Sequence, residues 1–504
     1  MAEGAPAVET ISRVDMVLMF KDEGGLHHNG TPSLACSMKR RSLLQLGGAA
    51  AVSCLLPSDP LRAQQGASGT PSSAVTTIGL SAQPTQLQIG PASVGPTAVW
   101  AFNGQLPGPE IRVQQGSELR VAFANRLPEP STIHWHGIRL PNAMDGVPGL
   151  TQPAVESGSD FQYAFRCPDA GTFWYHPHYN SSEQLGRGLV GALVVEEAQP
   201  IDVDQDLTWV LSDLRVDAAG QITNDFQSRH DAAHAGRIGN VVLINGSIES
   251  DFLFPSPQRI RLRLIAASNA RIFGLRFKGA RPWLVAIDGH PTPVSLLEED
   301  LVLAPGQRAD LILDIPGKGG LRIEDHFYGR QAYKLASIQV ADTSASAKPR
   351  GAPQALAANP VAPPVLGRSM RTVSMPIEGG ARSPVARPNA IWRLNGQSVK
   401  EHDHQHGHGH HESLFVLERG ETIRINLDNQ TAWLHPMHFH GVVFQQIDEQ
   451  AKTLRGPLRD TLLLRPGEKT SIALRGDEPG RWMIHCHVLE HQNSGLMGVF
   501  EVKA

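Results

Sequence analysis

Four pairs of histidines, each pair separated by one residue, are the feature of this sequence most able to do chemistry. The pairs are His134 and His136, His176 and His178, His438 and His440, and His485 and His487. In an extended strand, residues i and i+2 face the same side, so each pair presents two imidazoles to one place. A single pair of this kind is usually two ordinary surface or core histidines. Four pairs in one chain predict a metal cluster, because neutral imidazole is a common metal ligand.

Cys486 lies between the two histidines of the last pair, so its side chain faces the opposite side of the same strand. A thiolate with two imidazoles and a weak or absent axial ligand is the blue-copper arrangement, and His435 and His491 can supply the imidazoles. The eight paired histidines exceed the four ligands of a closed zinc site, which favours several copper ions. One strand would then join two metal sites through a few covalent bonds, a short path for an electron.

The elements that must position these side chains are short strands. The chain has 504 residues with 49 Gly and 37 Pro, and from about Val75 it alternates in short runs bounded by Gly, Pro and Asn. Such punctuation favours strands over long helices. Residues 111–113 and 119–123 alternate around Gln115-Gly116-Ser117, which predicts a hairpin.

An internal repeat predicts three copies of one β-sandwich. An Asn-Gly phrase begins at Asn103, Asn245 and Asn395, which corresponds to a period of about 140–150 residues. Each phrase is followed by an alternating strand that ends near an asparagine: Asn125, Asn269 and Asn426. We therefore expect an all-β chain with domains over residues 75–198, 205–345 and 370–504.

The N-terminal 63 residues are predicted to be an extension and an export signal rather than part of the fold. Arg40-Arg41 precedes an apolar run that ends near Leu56, and a cleavage point follows Ala63. Paired arginines before a short apolar run are typical of twin-arginine export in bacteria, and the run is too short to span a bilayer. We expect a periplasmic protein whose true start is Met38, with an amphipathic N-terminal helix as the alternative.

Composition excludes several other classes of function. The formal net charge of −4 gives no basis for nucleic-acid binding, and four cysteines cannot build a disulfide scaffold. Once Cys486 is taken as a ligand, Cys167 has no evident partner, and we expect it to be an inert buried thiol.

From about residue 75 to residue 504 the chain resembles the multicopper oxidases, specifically the bacterial laccases and cuprous oxidases built from three cupredoxin-like Greek-key domains. The histidine pairs and the Cys486 motif carry this resemblance. It implies four copper ions. His134 and His438 would hold the type 2 ion; His136, His176 and His487 one type 3 ion; His178, His440 and His485 the other; Cys486, His435 and His491 the type 1 ion.

The resemblance also implies the reaction and the partners. Electrons from a small-molecule or metal-ion donor would enter at type 1 copper, and four of them would reduce O₂ to two waters at the trinuclear cluster. We expect a monomer with no membrane span and no nucleic-acid partner.

Two positions differ from the copper-efflux members of that family. Leu496 stands at the axial position, which predicts a three-coordinate type 1 site of raised potential, unless a one-residue shift brings Met497 in. Gln492 stands where close relatives often have a proton-passing glutamate. Asp145 is then the better candidate proton donor, although a carboxylate before Gly146 alone would be interpreted as a turn residue.

The electron donor is left open by the sequence. His402–His411 contains six histidines and two glycines and could collect metal ions or be a solvated loop. The acidic residue and the methionine of the cuprous-oxidase substrate site are replaced by Thr431 and Trp433. This favours phenols or other aromatic donors, which could approach an exposed edge of His435. A cuprous oxidase for copper tolerance is the alternative. A non-enzymatic scaffold on the same fold is disfavoured by the intact ligand set.

Overall fold

The computed structural model describes residues 74–504 except 227, 249, 318–319, 342–349, 368, 384–389, 402–411 and 451. The predicted export signal and the His402–His411 tract lie outside the described residues. No helix within the described part of the chain has the length and apolar character needed to cross a membrane.

The described chain forms strands in three successive segments. The first segment contains β1 (Val75–Leu87), β2 (Thr97–Phe102), β3 (Gly108–Gln114), β4 (Glu118–Asn125), β5 (His134–His136), β6 (Asp160–Arg166), β7 (Gly171–His176) and β8 (Gly191–Glu196). The second contains β9 (Gln205–Leu214), β10 (Val241–Ile244), β11 (Asp251–Phe254), β12 (Arg259–Ala266), β13 (Phe273–Lys278), β14 (Trp283–Ile287), β15 (His290–Leu296), β16 (Leu301–Leu303), β17 (Arg308–Asp314), β18 (Leu321–Asp325) and β19 (Tyr333–Val340). The third contains β20 (Thr372–Gly379), β21 (Trp392–Leu394), β22 (Val416–Leu417), β23 (Thr422–Asn429), β24 (His435–Phe439), β25 (Phe444–Asp448), β26 (Thr453–Arg459), β27 (Thr461–Leu464), β28 (Lys469–Arg475), β29 (Gly480–Cys486) and β30 (Met497–Val502).

Each segment folds into two sheets, and the corresponding strands of the three segments follow the same order, with four strands per sheet in the first segment and six and five in the others. One sheet runs β2-β1-β4-β6 in the first, β10-β9-β12-β17-β14-β15 in the second and β21-β20-β23-β28-β25-β26 in the third. The opposing sheets run β3-β8-β7-β5, β11-β19-β18-β13-β16 and β22-β30-β29-β24-β27. In every segment the first strand pairs in parallel with an equivalent later one: β1 with β4, β9 with β12 and β20 with β23.

The repeated Asn-Gly phrase forms the same turn three times. Asn103, Asn245 and Asn395 have φ of 52°, 50° and 50°, and each following glycine is also at positive φ. Two consecutive residues at positive φ are typical of the tight turns that asparagine and glycine favour. The repeat predicted from the sequence is therefore a structural repeat.

Two details of the sequence prediction are wrong. β3 and β4 do not form a hairpin, because β3 pairs with β8 and β4 pairs with β1 and β6 in the other sheet. The chain changes sheets at residues 115–117, and alternation alone does not identify a strand's partner. The strand-end counterpart of Asn125 is Asn429 rather than Asn426. Both Asn125 and Asn429 accept a hydrogen bond from the backbone N–H two residues on and donate to the carbonyl four residues on.

Apolar side chains from both sheets of a segment meet in one core. In β23 every second residue is buried, and Ile423, Ile425 and Leu427 point inward as the alternation requires. The second segment has its own core, whereas the apolar core residues of the first and third form a continuous cluster that includes Trp135 and Cys486. The predicted metal ligands lie on strands packed against this shared cluster.

Three short helices lie beside the ligand strands: α1 (Ser181–Gly186), α2 (Arg229–Ala233) and α3 (Leu489–Asn493). α1 begins three residues after His178, and α3 contains His491. α2 comes from the second segment, and its backbone carbonyl at Ala232 accepts a hydrogen bond from Trp392 Nε1 at 2.6 Å. The helices thus hold the three segments together around the ligands.

Candidate metal centre

Strand register brings the four histidine pairs together. On β5 and β7, His134 lies opposite His176, and on β24 and β29, His438 lies opposite His485. The ten histidines predicted as ligands and Cys486 are each at most 1% exposed. The first and third segments therefore contribute two pairs each to one buried region.

Candidate ligand atoms cluster in sets of three. Within each set the atoms lie within 4.8 Å of one another, and the sets are His134, His136 and His438; His136, His176 and His487; His178, His440 and His485; and His435, Cys486 and His491. A further set joins His134, Asp145 and His440. The Nε2 atoms of His440 and His485 are 3.1 Å apart, close to the separation of about 3 to 3.5 Å for two nitrogens bound at about 2 Å to one ion.

The orientation of the rings fits metal binding. Nδ1 of His134 donates to the Asp145 carbonyl, Nδ1 of His176 to the Pro177 carbonyl, and Nδ1 of His438 to the Asp460 carbonyl. The opposite nitrogens, Nε2 of all three rings, are buried and have no hydrogen-bond partner among the described residues. A metal-bound imidazole typically fixes its second nitrogen in this way.

His136 is turned the other way round. Its Nε2 lies 3.3 Å from Asp460 Oδ1, and its Nδ1 is the buried nitrogen without a partner in the described chain. Burial and the neighbouring imidazoles lower the pKa of His136, His178, His440 and His487 well below its ordinary value. The rings are therefore neutral, which is the form that binds a metal.

Cys486 faces a separate pair of imidazoles. Its Sγ lies 3.5 Å from His435 Nδ1 and 3.7 Å from His491 Nδ1, and these two nitrogens are 3.2 Å apart. The remote nitrogens are fixed: His435 Nε2 lies 2.9 Å from Thr431 Oγ1, and His491 Nε2 donates to the His234 carbonyl at 2.7 Å. Burial raises the pKa of the thiol, so a bound cation is what would hold it as a thiolate.

Leu496 and not Met497 lies in the apolar core that contains Cys486. Leu496 is fully buried, and its carbonyl accepts a hydrogen bond from the Cys486 N–H at 3.0 Å. Met497 packs with Val147 and Met483 in a separate small cluster. Adjacent residues of an extended segment face opposite sides, so the structure favours leucine beside the Cys486 site.

Comparisons with known proteins agree with this geometry. Two multicopper oxidase family models match residues 84–200 and 384–504. A multicopper oxidase from Pseudomonas thermotolerans is 35% identical, with 86% of this chain and 100% of that chain covered and a TM-score of 0.76. The chain belongs to the multicopper oxidase family.

Two further relatives indicate the range of members that this multicopper oxidase resembles. A laccase from Neurospora crassa is 28% identical, over 86% of this chain and 79% of the laccase. A structure from Campylobacter jejuni described as a metallo-oxidase is 26% identical, with 85% and 92% of the two chains covered and a TM-score of 0.71. The fold is accordingly all-β and cupredoxin-like, and the protein is a copper-dependent oxidoreductase.

Asp145 contacts histidines of two different sets in this multicopper oxidase. Its Oδ2 accepts from His440 Nδ1 at 2.9 Å, and its backbone carbonyl accepts from His134 Nδ1 at 2.8 Å. It also occupies a tight turn, because a Cβ at Gly146 would lie 1.9 Å from the Ile133 carbonyl oxygen. The turn is therefore present and places a buried carboxylate beside His134 and His440, while the role of Asp145 as a proton donor stays a prediction.

The sequence prediction missed Asp460 and Arg308. Asp460, between β26 and β27, accepts a bidentate pair of hydrogen bonds from Arg308 at 2.8 and 2.6 Å while its backbone carbonyl accepts from His438 Nδ1. Burial alone would raise the pKa of Asp460, but the Arg308 charge and the hydrogen bonds from His136 and His438 hold it well below its ordinary value. A carboxylate two residues before the apolar run Leu462–Leu464 was the available signal.

The second segment also closes the cluster through Gly306, another residue that the sequence prediction missed. A Cβ there would lie 2.9 Å from His487 Cδ2 and 3.0 Å from His136 Cε1, and the residue has φ of +88°. Glycine is required by both the backbone conformation and the close approach.

The expected exposed edge of His435 is wrong. His435 is 0% exposed, and the Nε2 of His491 is capped by the His234 carbonyl that follows α2. Above this site lie His230, which is exposed, and His234 and Trp433, which are half-buried. The rings of His230 and His234 stack at 4.1 Å, and His234 meets Trp433 edge-on at 5.1 Å.

Proposed function

We propose that this protein couples four one-electron oxidations of a phenol-like or other aromatic donor to the reduction of O₂ to two waters. The observation that carries the proposal is the set of converging, buried imidazole nitrogens without protein partners, next to a cysteine with its own two imidazoles. The family supplies the general activity, copper-dependent oxidation with O₂ as acceptor. Membership of the family fixes neither the class of donor nor the number of copper ions, and we propose both here.

We assign four copper ions to these ligands. His134 and His438 hold the type 2 ion; His136, His176 and His487 hold one type 3 ion; His178, His440 and His485 hold the other; and Cys486, His435 and His491 hold the type 1 ion. The four sets of neighbouring ligand atoms support this assignment. When bound, copper supplies one-electron chemistry at the Cys486 site and O₂ reduction at the histidine cluster.

The chain's own residues orient and insulate these sites. Cys486 is bonded through the backbone to His485 on β29 and to His487 directly after it, so one short stretch of chain carries the donor-side ligand and a ligand of each type 3 set. Asp145 and the carbonyls of Pro177 and Asp460 fix ring orientation. Asp145 is also our candidate to deliver a proton beside His440. The buried ligands exclude water, which protects reactive intermediates.

The surface above the Cys486 site supports an aromatic donor. The exposed His230 ring and the half-buried rings of His234 and Trp433 offer stacking surfaces, and the His234 carbonyl leads directly to His491. The nearby carboxylates are balanced by arginines, since Asp225 and Asp231 both pair with Arg215 at 2.6 Å and Asp225 also pairs with Arg237 at 3.1 Å. A neutral aromatic donor loses less by leaving water for such a surface than a metal cation does.

A metal-ion donor is the second candidate, as in a periplasmic cuprous oxidase for copper tolerance. The His402–His411 tract favours it by composition, and the Campylobacter jejuni relative is described as a metallo-oxidase.

We further propose twin-arginine export to the periplasm, domains over residues 75–198, 205–345 and 370–504, and a monomer.

A donor panel distinguishes the two candidates. Copper-loaded protein is supplied with a methoxyphenol or with Cu(I), and O₂ consumption is recorded for the full chain and for a variant lacking residues 402–411. We expect turnover with the phenol in both proteins. Loss of Cu(I) oxidation alone in the deletion variant would favour the metal-ion donor. Absence of O₂ consumption with either donor would contradict the proposed function.

Introducing a thioether at the axial position should lower the type 1 potential. In Leu496→Met the added donor stabilises Cu(II) relative to Cu(I), and we expect a fall of at least about 60 mV, a tenfold shift for one electron. Redox titration of the blue absorption measures it. Leu496→Ile, which adds no donor atom, is the matched control. A potential unchanged in Leu496→Met would show that residue 496 does not face the metal.

A further inference from the structure

Glu401 is a buried carboxyl group that the proposed reaction has not yet used. It is 5% exposed, its Oε1 and Oε2 accept from the Ser181 N–H at 3.0 and 3.2 Å, and Ser181 Oγ donates to Oε1 at 2.5 Å. No arginine, lysine or histidine of the described chain forms a salt bridge with it. A buried carboxylate without a cation is costly, so a carboxyl group kept in this environment needs an explanation.

The hydrogen bonds continue from Ser181 towards the metal ligands. Gln492 Nε2 donates to Ser181 Oγ at 3.3 Å, and Gln492 Oε1 is buried without a hydrogen-bond partner among the described residues. Ser181 follows His178 by three residues, and Gln492 directly follows His491. Glu401 is thus connected through one hydroxyl group to the two helices, α1 and α3, that adjoin the ligand strands.

A second carboxyl group lies on the outward side. Glu129 is half-buried and accepts from Gln184 Nε2 at 2.7 Å and from Asn180 Nδ2 at 3.2 Å; Asn180 directly precedes Ser181, and Gln184 lies one turn further along α1. Burial first, and then the charge of Glu129, raises the pKa of Glu401 to about 7. Burial raises the pKa of Glu129 as well. The two carboxyl groups with raised pKa thus differ in burial: Glu129 is half-exposed, and Glu401 is buried.

The reaction requires such a supply. Reduction of one O₂ to two waters consumes four electrons and four protons, whereas the surrounding ligands are at most 1% exposed. Protons must therefore be delivered through the interior of the protein. An acid that is protonated at neutral pH and can release its proton suits this task best.

We propose that Glu401 stores and passes protons for O₂ reduction through the Ser181 hydroxyl; this rests on the proposed function. In each transfer the Glu401 O–H bond breaks and Ser181 Oγ accepts that proton, while the hydroxyl's own proton passes to a water molecule on the cluster side, water being the product of the reaction itself. Gln492 Nε2 donates to Ser181 Oγ and holds the hydroxyl in place, and the unpartnered Gln492 Oε1 is free to accept from that water, since an amide does not itself relay. The remaining carboxylate is reprotonated from the Glu129 side, which restores the starting state. Glu401 thus acts through Ser181 rather than on the reacting oxygen.

Among the residues that the structure describes, few charged or titratable groups lie around Glu401. Glu183 on α1 pairs with Arg187 at 2.8 Å, and Glu490 on α3 accepts from the Arg237 N–H and from Asn269. Tyr179 precedes α1, Lys400 precedes Glu401 in the chain, and Glu129 faces it as described. The pH dependence below is therefore attributed to Glu401, with Glu129 as its coupled neighbour.

Glu401→Gln should remove an acid-dependent step and leave the donor side intact. With a saturating methoxyphenol, we expect O₂ turnover at pH 6 to fall about tenfold or more, and the difference from the natural protein to disappear above pH 8, where Glu401 is ionised. The donor KM and the anaerobic bleaching of the blue band should not change. Ser181→Ala should reproduce the loss, and Ser181→Thr should retain turnover.

Glu183→Gln is the matched control, because it removes a carboxylate of α1 outside the relay. A wild-type pH profile in both Glu401→Gln and Ser181→Ala would overturn the proposal. If the natural protein itself consumes no O₂, the proposed function fails, and bleaching by the donor shows which half-reaction is missing.

A measurement independent of turnover uses infrared spectroscopy. The natural protein should show a protonated carboxyl band that is lost as pH rises through about 7, and Glu401→Gln should lack it. The pKa of this carboxyl group is higher in the folded protein than its value of about 4.3 in the unfolded chain. The contribution of the group to the free energy of unfolding therefore decreases as the pH rises from about 4 to 7. The unfolding temperature of Glu401→Gln, compared with that of the natural protein at the same pH, should therefore be higher at pH 8 than at pH 5. Absence of both the band and this trend would contradict proton storage at Glu401.

Discussion

Cys486→Ser should reduce donor-driven O₂ consumption at least about a thousandfold, equivalent to about 4 kcal/mol in the activation free energy. Serine keeps the volume of the side chain but removes the thiolate, which the blue-copper arrangement requires. Cys486 also lies on the strand that joins its own site to His485 and His487. Electrons from the donor then have no direct route to the histidine cluster.

Absorption spectroscopy and O₂ uptake measure this effect together. The blue band should be absent in Cys486→Ser, while copper bound by the histidine cluster is retained. Cys167→Ser is the matched control: that thiol is also free and buried, and burial raises its pKa to about 12. A blue band that survives in Cys486→Ser, or is lost in Cys167→Ser, would refute the assignment.

Asp460→Ala should destabilise the protein by about 3–5 kcal/mol and lower its copper content. The substitution leaves the fully buried Arg308 guanidinium without its bidentate partner, and an uncompensated buried charge has a cost of this size. Asp288, 3.6 Å from Arg308, compensates only in part, because this distance is too long for a hydrogen bond and burial raises the pKa of its carboxyl group. The His136 and His438 rings also lose the side-chain oxygen beside them.

Urea unfolding of copper-free protein measures the loss of stability, and copper analysis after loading measures the loss of bound copper. The double variant Asp460→Leu with Arg308→Met removes both charges and should be closer to the natural protein than Asp460→Ala. Equal stability of Asp460→Ala and the natural protein would show that the ion pair between the second and third segments does not support the cluster.

Local spacing explains what the sequence alone could predict. The i, i+2 histidines and Cys486 belong to short strands whose side chains alternate. The side of the strand on which each of them lies therefore follows from the strand itself. The Asn-Gly turns at Asn103, Asn245 and Asn395 are local too. Those features fix the class of fold and bring the ligands into register.

Contacts between distant parts of the chain could not be predicted in this way. Arg308 and Asp460 are 152 residues apart, and neither has a periodic signal. Arg261 and Arg263 alternate with apolar residues as on a solvent face, but both are 1% exposed and pair with Asp310. The capping of His491 by His234 likewise links residues 257 positions apart.

The most direct test of the account is the copper content of the loaded protein, measured with its absorption and paramagnetic-resonance spectra. We predict four copper ions per chain, with one blue type 1 signal, one type 2 signal, and two ions silent because they are coupled as a pair. A chain that binds fewer copper ions at saturation, or that binds four without a blue band, would contradict the assignment of the ligands.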